Sequence, residues 1–216
     1  EAVRDDPFLG DAVRAMYGLH PPQTASPFEA LVMAITGQQI SGIVARSIRA
    51  RIVGELGNPF SVNGQTFHTF PSPEDFLGAG HERLRSLGLS ARKAEYILGI
   101  ASKAAAGDLS YEQISLLDSQ QVIEELTRIR GVGEWTAQWV LLGALARQDA
   151  FPAGDLALRR LISEVYFDGR DVNEKEVVSF AKQQWGQYGG LATTYMFAHI
   201  RQRRVEREAK ETVLGM

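Results

Sequence analysis

The chain has 216 residues, of which 44% are hydrophobic and 23% charged, as in an ordinary globular protein. It contains no cysteine, which excludes disulfides, thiol catalysis, Cys-ligated zinc and iron–sulfur clusters. The net charge of −3 argues against a nucleic-acid partner when taken alone, and the basic run Arg46, Arg49 and Arg51 is by itself ordinary for a solvated helix face.

Hydrophobic periodicity predicts a chain that is helical almost throughout. A short amphipathic segment at 8–17 precedes a proline-rich loop, after which Ser26 and Pro27 supply an N-cap and a first helical residue. Residues 57–70 are predicted as a loop with room for some extended structure, and Ser72 opens the next helix. Further helices are predicted within 41–56, 82–107 (two helices joined at Gly88), 118–130, 134–147, 155–167, 174–185 and 191–211.

Two glycines separated by one residue lie between predicted helices in "TRIRGVGEWTAQWV", residues 127–140. No strand precedes them and Thr136 replaces the third glycine of a dinucleotide-binding fingerprint, so a helix–hairpin–helix is predicted instead. Gly131 and Gly133 would leave the amides near Thr136 uncovered at the positive end of the second helix, where a phosphate fits. A plain glycine connector between helices explains the hairpin alone equally well.

The segment "IRGVGEWTAQWV" resembles the hairpin of the helix-hairpin-helix DNA glycosylases, whose pattern is roughly L-P-G-[IV]-G-x-x-T-A. In that superfamily a Gly/Pro-rich loop ending in a catalytic Asp follows about two dozen residues later, and Asp155 in "FPAGDLALRR" has this spacing. Segments 34–48 and 84–101 are similar to helix pairs of the 3-methyladenine DNA glycosylase II branch. The chain departs from the family pattern at Arg130, which replaces the hairpin proline, and in "WGQYGG", which lacks a Pro and an Arg.

The resemblance implies an all-α fold of two helical lobes with an interlobe cleft and a helix-hairpin-helix motif. A six-helix lobe at 36–147 would carry the hairpin. Residues 1–35 with 148–216 would form the second lobe, and the cleft would hold Asp155. The implied partner is duplex DNA that contains damaged bases, bound by the hairpin through phosphates, and nothing in the sequence requires more than a monomer.

An Asp that follows Gly at a helix start is ordinarily an N-cap, and the spacing from the hairpin is what favours a catalytic role for Asp155. An ionised carboxylate stabilises the oxocarbenium-like sugar that forms as a glycosidic bond breaks, and it orients or deprotonates water. Alkylated purines carry positive charge and need little acid help to leave. The resemblance therefore implies hydrolysis of the N-glycosidic bond of alkylated purines of the 3-methyladenine type, which leaves an abasic site.

Trp135 occupies the position at which related bifunctional enzymes carry a Schiff-base lysine, so no lyase activity is expected. Trp135 and Trp139 are four residues apart and share a helix face. They are either core residues or a wall on which a flipped cationic base stacks. Tyr188 matches the family's other pocket aromatic, whereas Trp185 is predicted to be core.

Gln39 matches the position from which the family fills the hole left by an extruded base, although Gln38 and Gln39 are equally typical of an exposed helix end. The family also binds a monovalent cation, Na⁺ or K⁺, through hairpin carbonyls. By position these carbonyls belong to Thr127, Ile129 and Gly131, and no other cofactor is expected. The four histidines show no metal-ligand spacing.

Two other functions fit the same features: a glycosylase for oxidised or mismatched bases, and a helix-hairpin-helix module that binds DNA without chemistry. An unrelated helical interaction protein is a further alternative. The chain has no run of about 18 apolar residues. Because residues 1–10 also do not resemble a signal peptide, we expect no membrane contact and a cytoplasmic location, at the nucleoid in a bacterium.

Overall fold

A computed structural model describes residues 6–214 of the chain. The fold is mostly helical, as predicted. The elements are α1 Leu9–Ala15, α2 Pro27–Gly37, α3 Gly42–Leu56, β1 Pro59–Val62, β2 Gln65–His68, α4 Pro73–Ser86, α5 Ala91–Ala105, α6 Tyr111–Ser115, α7 Ser119–Thr127, α8 Glu134–Gly143, α9 Leu156–Tyr166, α10 Glu174–Trp185 and α11 Gly189–Leu214, with a 3-10 helix at Gly186–Tyr188.

Several helices begin at the capping residues that the sequence indicates. The Ser26 hydroxyl accepts a hydrogen bond from the Glu29 amide at 3.1 Å, and Pro27 is the first residue of α2. At the start of α4, Ser72 and Asp75 form a reciprocal capping box, in which each side chain accepts from the other's backbone amide. These contacts satisfy amides that the first helical turn leaves without a partner, and so they fix where each helix starts.

The structure differs from the predicted elements at two places. The loop predicted at 57–70 contains the antiparallel pair β1–β2, joined by Asn63 and Gly64, whose φ angles are 50° and 76°. Asn-Gly is the pair that a two-residue hairpin with positive φ at both positions favours, so this dipeptide was the available signal. Helix α6 has only five residues, too few for a hydrophobic period to show.

The chain divides into two compact units. Residues 23–145 form what we name the hairpin unit, and residues 1–22 with 146–216 form the terminal unit. In the hairpin unit α2 packs against both α5 and α8. Its fully buried side chains include Leu31, Ile35, Ile97, Ile100, Leu126 and Leu141. The predicted lobe boundaries at 36–147 and at 1–35 with 148–216 stay a prediction.

The core of the terminal unit is built by its own helices. Helix α1 packs against α11, and α9 contacts both α10 and α11. Leu158, Ile162, Val177, Trp185 and Met196 lie in this core, so Trp185 is a core residue, as predicted. Within residues 6–214, none of the helices has the length and apolar character needed to cross a membrane.

A buried carboxylate, Asp6, ties the start of the described chain to the terminal unit. It accepts hydrogen bonds from the amides of Phe8 at 3.0 Å and Leu9 at 2.8 Å, from the Tyr166 hydroxyl at 2.7 Å and from the Trp185 indole at 3.3 Å. Burial, together with the bond to Asp6, raises the pKa of Tyr166, so its hydroxyl remains a donor at neutral pH.

We expect Asp6→Ala to lower the free energy of unfolding by roughly 1–3 kcal/mol, because it leaves buried donors without their acceptor. Urea unfolding of the full chain measures this loss. Asp11→Ala is the control, since Asp11 is exposed and pairs with Arg14 at the surface, and its removal should change stability by less than about 0.5 kcal/mol. Equal stabilities for the two variants would show that Asp6 is not a structural anchor.

Candidate functional site

The predicted hairpin lies between α7 and α8 of the hairpin unit, and its first glycine is held against an aromatic ring. Gly131 has φ +91°, a conformation that L side chains rarely adopt. A Cβ at this position would overlap Cγ and Cδ2 of the Tyr96 ring and lie 2.9 Å from the Tyr96 Cβ. The turn is closed by the Val132 amide, which donates to the Ile129 carbonyl at 3.0 Å. Only glycine therefore fits at position 131 without strain.

The second glycine begins α8 and leaves its amide end uncovered. Gly133 is the N-cap residue, makes no side-chain capping bond and has open space where a Cβ would be. Thr136 is buried, and its hydroxyl accepts a hydrogen bond from Gln38 Nε2 at 3.0 Å. The phosphate contact predicted at Thr136 stays a prediction, while the positive end of the α8 dipole favours an anion at this terminus.

The two tryptophans lie on α8 just after this amide end. Their ring centroids are 6.2 Å apart with an interplanar angle of 71°, an edge-to-face arrangement. Both Trp135 and Trp139 are half-buried, so neither is simply an interior residue. Helix α8 thus carries a candidate anion site and a partly exposed pair of indoles within its first two turns.

The turn after α2 is placed beside the hairpin because α2 packs on α8. Gln39 is exposed and has φ +55°, a left-handed conformation that is uncommon for a non-glycine residue. Gln38 is half-buried, and its Nε2 donates to the Gly131 carbonyl at 3.1 Å as well as to Thr136 Oγ1. The exposed-helix-end interpretation is therefore wrong for Gln38, while Gln39 projects from the surface.

Arg130, which replaces the family's proline, is exposed and makes two contacts with α5. Its guanidinium lies 2.5 Å from Glu95 Oε1, and its Cζ is 5.9 Å from the centre of the Tyr96 ring. Neighbouring residues of α5 therefore hold Arg130 and Gly131 together. An exposed pair of this kind contributes little to stability, about 0–1 kcal/mol.

Asp155 is the N-cap of α9 in the terminal unit. One carboxylate oxygen, Oδ1, accepts from the amides of Ala157 at 2.9 Å and Leu158 at 3.1 Å, and the residue is half-buried. The capping interpretation is thus confirmed, and it is compatible with a catalytic one because the helix dipole favours the ionised carboxylate. Tyr188, also half-buried, ends the 3-10 helix of the same unit.

The carbonyls predicted to hold a monovalent cation belong to Thr127, Ile129 and Gly131. Thr127 is the last residue of α7, and Ile129 and Gly131 come shortly after it. All three carbonyls therefore lie at or just beyond the negative end of a helix dipole, which favours a cation. The Ile129 and Gly131 carbonyls already accept one hydrogen bond each, which leaves each a second lone pair. Within residues 6–214, no group of three or more His, Cys, Asp or Glu residues could hold a metal ion.

Sequence reasoning gave no supporting role to three residues that shape this region: Gln38, Lys93 and Tyr96. Lys93 Nζ donates to the carbonyls of Thr36 at 2.9 Å and Gln38 at 2.7 Å, beneath the turn that carries Gln39. Burial and the neighbouring Arg49 lower the pKa of Lys93. The only signal in the sequence was their placement in segments 34–48 and 84–101, both of which resemble the family.

A helix-hairpin-helix whose second helix has no side-chain cap is typical of proteins that contact the phosphates of nucleic acid through main-chain amides. Residues 32–187 match the model of the HhH-GPD superfamily of base excision DNA repair proteins, and the chain belongs to this family.

Three relatives illustrate the likeness. The DNA-3-methyladenine glycosylase of Bacillus subtilis is 31% identical over 197 residues, which cover 91% of this chain and 65% of the relative. The solved 3-methyladenine DNA glycosylase of Archaeoglobus fulgidus has a TM-score of 0.83 and 36% identity, covering 93% of this chain and 68% of that one. The 3-methyladenine DNA glycosylase of Schizosaccharomyces pombe in complex with abasic DNA has a TM-score of 0.72 and 27% identity, covering 87% of this chain and 88% of that one. The chain spans just under two thirds of the Bacillus relative.

Proposed function

We propose that this protein is a monofunctional DNA glycosylase that hydrolyses the N-glycosidic bond of alkylated purines in duplex DNA. The observation that carries the proposal is the arrangement of α8, whose N-cap Gly133 has no side-chain cap and whose first two turns carry the half-buried Trp135–Trp139 pair. Relatives named DNA-3-methyladenine glycosylase support the choice of substrate. The proposal includes action as a monomer in the cytoplasm, with a monovalent cation at the hairpin.

In this mechanism the amides from Gly131 to Thr136 hold a strand phosphate, which positions the DNA without reading its sequence. Gln39 enters the stack as the damaged nucleotide leaves it, and the cationic base stacks on the indoles. The N-glycosidic bond then breaks, and its electron pair neutralises the base. Water attacks C1′ of the sugar and gives its proton to Asp155, whose negative charge stabilises the cationic sugar meanwhile.

Trp135 also supports the absence of lyase activity in the proposal. A glycosylase that cuts the backbone needs an amine to form a Schiff base with the sugar, and an indole cannot supply one. The product would therefore be an intact strand with an abasic site.

Release of free base from duplexes that each carry one lesion tests this function. The panel is 3-methyladenine, 7-methylguanine, 1-methyladenine, ethenoadenine and hypoxanthine, with 8-oxoguanine for the alternative substrate class. We expect release of the cationic alkylpurines, and strand breaks only after alkali. Release of 8-oxoguanine alone would support the oxidised-base alternative. Tight binding without release of any base would support a non-catalytic module.

The stacking role predicts a graded series at Trp135. Stacking of a base on an aromatic ring contributes about 1–3 kcal/mol, so Trp135→Leu should slow excision of a cationic base roughly tenfold. Trp135→Phe keeps a ring and should lose less. Single-turnover excision at saturating protein measures the rate of each variant. Excision of hypoxanthine, a neutral base, by the same variants is the internal comparison. Equal rates for the Phe and Leu variants would argue against stacking.

A further inference from the structure

Two cations anchor the turn that follows α2. Lys93 from α5 donates to the carbonyls of Thr36 and Gln38, and Arg49 from α3 donates to the carbonyl of Met33. The Thr36 carbonyl lies in the last turn of α2 and the Gln38 carbonyl directly after it, where the helix leaves acceptors without partners and positive charge is favoured; the Met33 carbonyl lies one turn earlier. These hydrogen bonds hold the backbone in place as far as Gln38. The next residue, Gln39, has a left-handed φ of 55°.

From this anchored point one side chain reaches the hairpin. Gln38 Nε2 bonds both the carbonyl of Gly131, the glycine held against Tyr96, and the hydroxyl of Thr136, in the first turn of α8. In sequence, these two partners lie on either side of Gly133, the N-cap residue of α8. Gln38 is thus linked to the proposed phosphate site by its side chain and to Gln39 by the peptide bond.

We propose that Gln38 is a positioning residue that ties the turn bearing Gln39 to the phosphate-binding hairpin. Through this tie, binding of the strand phosphate at the hairpin and insertion of Gln39 into the base stack occur together. Lys93 supports the tie from beneath by holding the Gln38 carbonyl. This inference rests on the proposed function. It adds that the glutamine before the inserted residue acts without touching DNA.

Gln38→Met tests the tie, because methionine is similar in length but has no donor for Gly131 or Thr136. The matched control is Gln23→Met. Gln23 Nε2 also donates to a carbonyl of α8, that of Leu142 at 3.2 Å, but at the far end of the helix. We expect Gln38→Met to slow single-turnover excision at saturating protein about tenfold, while the Kd for undamaged duplex changes less than about threefold. Gln23→Met should change neither by more than about twofold.

Lys93 provides a rescue test of the same tie. Lys93→Met should reproduce the loss of excision rate, and Lys93→Arg, which keeps a donor and a charge, should restore at least half of the rate. A Gln38→Met protein that excises at the parental rate would overturn the inference. So would a protein that loses binding to every duplex in proportion to its loss of rate, because that result would indicate a purely structural role.

A second measurement separates this inference from the proposed activity. A duplex with 2-aminopurine at the target position becomes more fluorescent when that base leaves the stack, whether or not any bond is broken. We expect the parent protein and Gln23→Met to raise the fluorescence and Gln38→Met to raise it much less. If the parent released no base but this contrast held, the activity would be wrong and the tie correct. If base were released and the contrast absent, the tie would be wrong.

Discussion

Asp155→Asn is expected to bind duplex DNA as tightly as the parent protein and to release base at least ~10²-fold more slowly, a loss of about 2.7 kcal/mol of transition-state stabilisation. The side-chain amide that this substitution introduces lacks the negative charge that stabilises a cationic sugar, and it cannot take a proton from water. Single-turnover excision of 3-methyladenine or 7-methylguanine from a duplex measures the rate, and a titration with undamaged duplex measures binding.

This substitution isolates the charge because asparagine is also a good N-cap. The bonds from the Ala157 and Leu158 amides go to one oxygen, Oδ1, which an asparagine side chain also provides. Asp118→Asn is the matched control, since Asp118 caps α7 in the same way by accepting from the Gln121 amide at 2.8 Å. Both variants should unfold at about the parental urea concentration. An Asp155→Asn protein with undiminished excision would remove this carboxylate from the mechanism.

Much of the fold could be predicted because its signals are local. A helix that begins at Ser72 or Ser90 is fixed by contacts within three residues, and these appear in the sequence as a cap followed by a periodic run. The β1–β2 pair was predicted only as a loop with room for some extended structure, although Asn63 and Gly64 indicate its turn, since its strands are short and mostly exposed and so show no core-facing alternation.

For the candidate site, the sequence allowed the hairpin backbone to be predicted but not the side-chain contacts that support it. Gly131 and Gly133 were recognisable as a glycine pair between two predicted helices, and Asp155 was proposed because the resemblance to the family places a catalytic Asp at this spacing. The bond from Gln38 to Gly131 joins residues far apart in sequence and depends on the packing of α2 against α8. The contact between Tyr96 and Gly131 likewise depends on the placement of α5. No pattern within one helix encodes such contacts.

The contrast between Gly131→Ala and Gly133→Ala tests the hairpin as a grip on phosphate. Alanine at 131 must adopt a left-handed conformation, which costs about 1–2 kcal/mol, and its Cβ must displace the Tyr96 ring, which costs about 1–3 kcal/mol more. Gly133 has φ −103° and open space at its Cβ, so alanine there should change stability by about 1 kcal/mol or less. Urea unfolding measures the free energy of unfolding of both variants.

Both variants should nevertheless lose affinity for DNA, and the loss should be the same for damaged and undamaged duplexes because phosphate contacts carry no base information. For Gly133→Ala, which keeps the fold, the new methyl group stands over amides that a phosphate must approach. Fluorescence anisotropy with duplexes that do and do not carry a lesion measures this. In Gly131→Ala, adding Tyr96→Ala should recover part of the stability by removing the overlap with the ring, while the close approach to the Cβ of residue 96 and the left-handed strain remain. A loss of affinity for Gly133→Ala that is confined to one lesion would place this glycine in base recognition instead of the phosphate grip.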